Sequence, residues 1–164
     1  MRTGERVLLV ALLVFSGAWS VMGGALDPGG GNVDGFTVAY VPDEAGDLVS
    51  DYSTEWGGVR FESRVWEHET DEGGFRVDLK VNVLRGERLT GVEALREFIA
   101  DYEEQDPGAW ELERFQNGQW QGYRTEGLAF WFVGKGVGVS VRLDPRAFDD
   151  EQLTLTARGI RPGD

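Results

Sequence analysis

Strict alternation of apolar and polar residues marks two neighbouring strands in the middle of the chain. Val59, Phe61, Ser63 and Val65 alternate with Arg60, Glu62, Arg64 and Trp66. Phe75, Val77, Leu79, Val81 and Val83 alternate with polar residues in the same way. A period of two is the signature of a strand with one apolar face. The polar, glycine-ended stretch Glu67 to Gly74 between them predicts a long-looped hairpin. Treating the odd-numbered residues of both strands as inward restricts the register. The favoured pairing then sets Arg64 by Asp78, Glu62 by Lys80, Arg60 by Asn82 and Trp66 by Arg76, because opposite charges across strands stabilise and like charges oppose pairing.

The period changes to that of a helix over residues 90–104. Val92, Leu95, Ile99 and Tyr102 fall on one face with Phe98 beside them,. Thr90 and Glu93 have capping-box spacing, and Asp106-Pro107-Gly108 stops the helix,. A second helix is predicted over Asp149 to Arg158, with Asp149 or Asp150 as cap and Gly159 at its end,. Phe36 to Val41 reads as a first strand and Tyr52 to Trp56 as a short one. Trp110–Gln116 and Gln119–Thr125 flank Asn117-Gly118, a strong hairpin signal,. Leu128 to Val133 is apolar on both faces and predicts a central strand. Val137, Val139, Val141 and Leu143 alternate in the strand after it. The sum is an α+β domain, an antiparallel sheet of six to eight strands with two helices on one face, over residues 36–161.

The N-terminal stretch has a different character. Arg2 and Arg6 precede an apolar run from Val7 to Met22, followed by small residues Gly23, Gly24 and Ala25. Residues 1–25 therefore read as a signal peptide or as a membrane anchor through residues 7–22. Either places the domain outside the cytoplasm, secreted or tethered to the membrane. Residues 26–35, with Pro28 and three glycines, read as a flexible linker,.

Composition narrows the activities. The chain has 164 residues and a formal net charge of −13. That balance excludes ordinary nucleic-acid binding, which depends on neutralising phosphates, and disfavours anionic lipid. There is no cysteine and one histidine, so thiol chemistry is excluded and a histidine-based array nearly so,. Arginine- and glycine-rich composition fits a G+C-rich bacterial coding sequence. No cofactor motif is present: Gly134-Lys135-Gly136-Val137-Gly138 lacks the order and the helix of a phosphate loop and reads as a hairpin turn,.

The remaining chemistry is sparse. His68, Glu69 and Asp71 could ligate a cation, but their spacing is not that of an EF-hand, and a solvated acidic loop explains them. Paired carboxylates could support a hydrolase, although no spacing singles out a pair. Six tryptophans are many for this length. Aromatic platforms bind peptides, sugars or lipids, and Trp66, Arg76, Trp120 and Tyr123 form the candidate surface, since Trp66 and Trp120 lie near hairpin ends.

The order of Phe36–Val41, the 59–83 hairpin, the 90–104 helix and the closing Leu153–Ile160 segment resembles the layout of PsbP-like domains, which are small exported or lumenal accessory proteins. That resemblance implies an α/β sandwich with a binding or assembly role for an unknown protein or small ligand, and not catalysis. A non-enzymatic binding domain is thus the first expectation, with a carboxylate hydrolase or a structural envelope protein as alternatives. Mass measurement on protein from the producing cells should find the domain outside the cytoplasm; an unprocessed chain in the cytosol is the contrary result.

Overall fold

The computed structural model describes residues 28–164. The segment read as a signal or anchor lies outside them. Among the described residues no helix is long and apolar enough to cross a membrane.

The chain runs β1 (Gly31–Val33), β2 (Phe36–Val38), β3 (Leu48–Trp56), β4 (Val59–Glu69), β5 (Phe75–Arg85), α1 (Val92–Tyr102), β6 (Glu113–Asn117), β7 (Trp120–Thr125), β8 (Leu128–Gly134), β9 (Val137–Leu143), α2 (Asp150–Arg158) and β10 (Ile160–Pro162). Seven strands form one antiparallel sheet in the order β3-β4-β5-β9-β8-β7-β6, and β1-β2-β10 form a second, three-stranded sheet. The α+β class and the antiparallel sheet are as the sequence predicts.

The helices are not on one face. Leu95, Phe98 and Ile99 of α1 pack with Val59, Phe61, Leu84, Leu128 and Phe130. Leu153 and Ala157 of α2, with the small sheet, pack with Trp66, Leu79, Val81, Trp131, Val139 and Val141. Adjacent strand residues point to opposite faces. Phe130 and Trp131, both 0% exposed, therefore feed different cores. The doubly apolar Leu128–Val133 run is the sequence trace of this arrangement.

Two covered faces also explain why the hairpin register differs from the expectation. Val59 and Phe61 serve the core under α1, whereas Leu79, Val81 and Val83 serve the other. The odd-numbered residues of the two strands thus face opposite ways. Arg64 lies opposite Val81, Ser63 opposite Asn82 and Trp66 opposite Leu79, with a register shift between Trp66 and Glu67. Arg60 falls opposite Arg85, a like-charge pair. Asp34 answers both: its carboxylate lies 2.8 Å from Arg85 Nε and 3.8 Å from Arg60 Nη2.

The stretch read as a linker is folded from residue 28. Asp34-Gly35 is a two-residue turn with φ of 44° and 84°, the double positive φ that a type I′ hairpin needs. The ribbon it makes is fastened to β4, because Trp66 Nε1 donates to the Pro28 carbonyl and Arg64 Nη1 to that of Gly30, at 2.9 and 2.8 Å. The later hairpin turns one residue beyond the expected dipeptide. Asn117 pairs with Trp120, leaving Gly118, φ 62°, and Gln119 as the turn.

Asp149 caps α2, and its carboxylate and the Gln152 side chain form a full capping box. At α1 the expected box does not form. Gly91 is the N-cap without a side-chain bond, and Glu93 turns to Tyr123 instead. Gly138 lets α1 approach the sheet, since a Cβ there would stand 2.9 Å from Leu95 Cδ1. Leu95→Ala should cost about 2–5 kcal/mol, as a fully buried leucine does. Gly138→Ala should destabilise the native chain but be tolerated or favourable beside Leu95→Ala, a coupling that a double-mutant cycle in denaturant measures.

Candidate functional site

The β4–β5 hairpin runs past the layers that cover the sheet, and exposure changes abruptly along β5. Asp78 and Leu79 are 1% and 0% exposed, while Val77 is 44% and Phe75 60% exposed. Residues two apart in a strand share a face, so Phe75 and Val77 form one apolar strip. Glu67 lies opposite Val77 and Glu69 opposite Phe75. Asp71 and Glu72 follow at the exposed tip. The strip is therefore rimmed with carboxylates.

A charged cluster holds the root of this arm. The Asp78 carboxylate accepts from the Gly46 amide at 2.8 Å and from Arg76 Nε at 2.9 Å, and it meets His68 Nδ1 at 2.7 Å. Arg76 also lies 3.6 Å from Asp144. Arg146 grips Asp144 from the other side through Nε and Nη2. Hydrogen bonds from Arg146 hold the Asp144 carboxyl below the usual carboxylate range, against the opposing effect of its burial. A general acid needs the reverse shift.

The residues singled out from sequence do not share a surface. Trp66 is 0% exposed and Tyr123 5%. Trp66 pairs with Leu79, not Arg76. Tyr123 lies under α1, donates to Glu93 and carries Arg96 over its ring at 4.9 Å. The bond to Glu93 pushes the Tyr123 phenol pKa up. Trp120 is half-buried beneath Arg161, whose guanidinium carbon stands 5.5 Å from the ring centroid. Three strands separate β4 from β7, or about 19 Å at ordinary strand spacing. A platform of Trp66 and Trp120 is excluded on that ground. Arg76 alone of the four belongs to the arm. Glu69 and Asp71 are exposed and point to no shared site with His68, which is engaged by Asp78. Among the described residues no group of three potential ligands could hold a metal ion.

Two open hollows lie elsewhere. One, of about 870 Å³, is lined by Arg96, Trp110, Glu113, Arg124, Glu126 and Asp149 among others. Two of its acids have structural work: Glu113 pairs with Arg124 at 3.1 Å, and Asp149 caps α2. The other, of about 850 Å³, lies among Arg60, Arg85, Glu87, Thr90 and Lys135. Sequence reasoning missed a polar seam under α1. Lys80 is largely buried there, which pushes its ammonium pKa down, and Glu103 pairs with Arg142 beside it. A desolvated lysine is a possible nucleophile, but it lines neither hollow. The available signal was the break in apolar character at every second residue of β5.

Because the folded-state pKa of Asp144 is depressed, its stabilising effect is complete at neutral pH. It is lost as pH falls below about 4, the region of an ordinary aspartate. Arg146→Gln should flatten that acid limb in circular dichroism, lowering stability at neutral pH and leaving it close to native at the acid end, where the Asp144 carboxyl is protonated in both chains,. No protein family, curated protein or solved structure matches the chain.

Proposed function

We propose that this chain is an exported, non-enzymatic accessory domain that binds a protein partner through the Phe75–Val77 strip. The single observation carrying the reading is the 60% exposure of Phe75 on a strand whose next turn of residues is fully buried. Large apolar side chains gathered on one projecting element mark interaction sites. The acidic rim selects the partner: Glu67, Glu69, Asp71 and Glu72 favour a basic surface around an apolar socket. An anionic bilayer or a nucleic acid would be repelled by the same rim. Export rests on Arg2, Arg6 and the apolar run after them. An accessory role agrees with what the PsbP-like layout implies. The arm suits the task because its root is fixed by Asp78, so little ordering remains to oppose binding.

Photo-crosslinking in intact producing cells tests this. A crosslinker replacing Phe75 should trap one extracytoplasmic protein that a crosslinker at exposed Gln121 does not. Val77→Ser should reduce the yield severalfold with no change in melting temperature, and added salt should reduce it further. Equal trapping from both positions, or none from position 75, would be the contrary result.

A further inference from the structure

Lys80 lies on the face of the large sheet that α1 covers, on the same side of β5 as Leu84,. Its neighbours across the two adjacent strands are Val65 of β4 and Arg142 of β9. The first has an apolar side chain, and the second is another cation. Like charges directly opposite each other oppose strand pairing. Glu103, just past the end of α1, is the carboxylate near this pair, and it bonds to Arg142. Among the described residues no hydrogen bond or ion pair holds the Lys80 ammonium. Solvent nevertheless reaches it, since the fully buried side-chain group without a partner is the Trp131 indole N–H.

Such a cation is poorly compensated, and losing its proton relieves both its desolvation and its repulsion from Arg142. Burial pushes the Lys80 ammonium pKa down, with Glu103 opposing the shift and Arg142 adding to it. The uncharged amine is the nucleophilic form. Neither open hollow reaches Lys80, so only a very small electrophile fits beside it. The charges narrow the choice further. An aldehyde would give an imine, which on protonation leaves a cation facing Arg142. Carbon dioxide gives an anion at the same place, turning a like-charge cross-strand pair into an opposite-charge one.

We propose that Lys80 is a carbon dioxide-binding residue, carrying a reversible carbamate that Arg142 holds across the sheet. The lone pair of the neutral amine attacks the carbon of CO2. An N–C bond forms as the electron pair of one C=O π bond moves onto oxygen. The nitrogen then gives a proton to water, which leaves the carbamate anion, and no oxidant or further reactant takes part. Arg142 is exposed, and its five N–H donors are enough to serve Glu103 and the carbamate together.

The chain has two lysines, so exposed Lys135 serves as an internal control. Isotopically labelled bicarbonate, in equilibrium with CO2, is supplied at neutral pH to the chain as purified from its producing cells. Carbon NMR should then show a carbamate resonance that survives in Lys135→Met and is lost in Lys80→Met. Trapping the carbamate as its alkyl ester before digestion should place the added mass on Lys80 in the native chain, without reliance on any variant. Arg142→Gln keeps the amine but removes the counter-charge, and should lower the trapped fraction severalfold. Circular dichroism checks that each variant is folded. No trapped mass on Lys80, a resonance that persists in Lys80→Met, or an undiminished fraction in folded Arg142→Gln would each overturn the assignment.

Discussion

The seven-stranded sheet is buried on both faces, and most of the architecture answers to that constraint. A sheet with one wet face can send its polar residues to water. Here polar groups that turn inward need partners, since an unpaired buried group costs about 1–3 kcal/mol, and among the described residues the Trp131 indole N–H is the buried side-chain group that goes without one. Ser63, Asn82 and Ser140 solve this as a ladder across β4, β5 and β9, with bonds of 2.6 and 3.0 Å. Arg64 is 7% exposed yet fully engaged by Asp51 and the Gly30 carbonyl. Asn117 is buried and bridges the Ala157 carbonyl to Arg161. The bonds of Arg64 and Asn117 also carry the small sheet and α2 onto the large one, so there polar satisfaction and layer assembly are the same event.

The long central strands and both helices were legible because each carries a local signal. Alternation found β4, β5 and β9, and the 3.6-residue repeat found α1. What was not legible is relational. Deciding which face of β4 is inward assumes a single core, and the inference about register fails with that assumption. Val59 and Trp66, both 0% exposed, show why: each is inward, toward different layers. Asp34-Gly35 is a different kind of miss. The dipeptide is a hairpin signal in its own right, but its flanking strands have three residues each and too few alternations to register.

The candidate aromatic surface failed for the same reason. Position near a hairpin end suggested exposure for Trp66, but β4 continues to Glu69 and the covering layer reaches over the tryptophan. The true boundary lies at Val77/Asp78, where burial by the covering layers stops. Nothing local in the residues marks that boundary, because Phe75 and Val77 continue the alternation of Leu79 and Val81. An apolar strand residue is core only if another layer covers it, and coverage depends on elements far along the chain. The Gly46 amide bonded to Asp78 is one of these.

A sheet with both faces occupied leaves its perimeter for contact with other molecules. Sandwiched strands can offer only an outer edge, a projecting end or the loops between. The perimeter here is uneven. β6 is short and charged, the hollow by α2 has Glu113 and Asp149 tied up in structural contacts, and at the hollow by Arg60 both arginines are held by Asp34. The β4–β5 end remains, and it is rigid, since it extends strands anchored in two cores. Rigid apolar surface that costs little ordering entropy on association is what a docking element requires. The polar network at Asp78 supplies that rigidity where the β4–β5 arm leaves the covering layers.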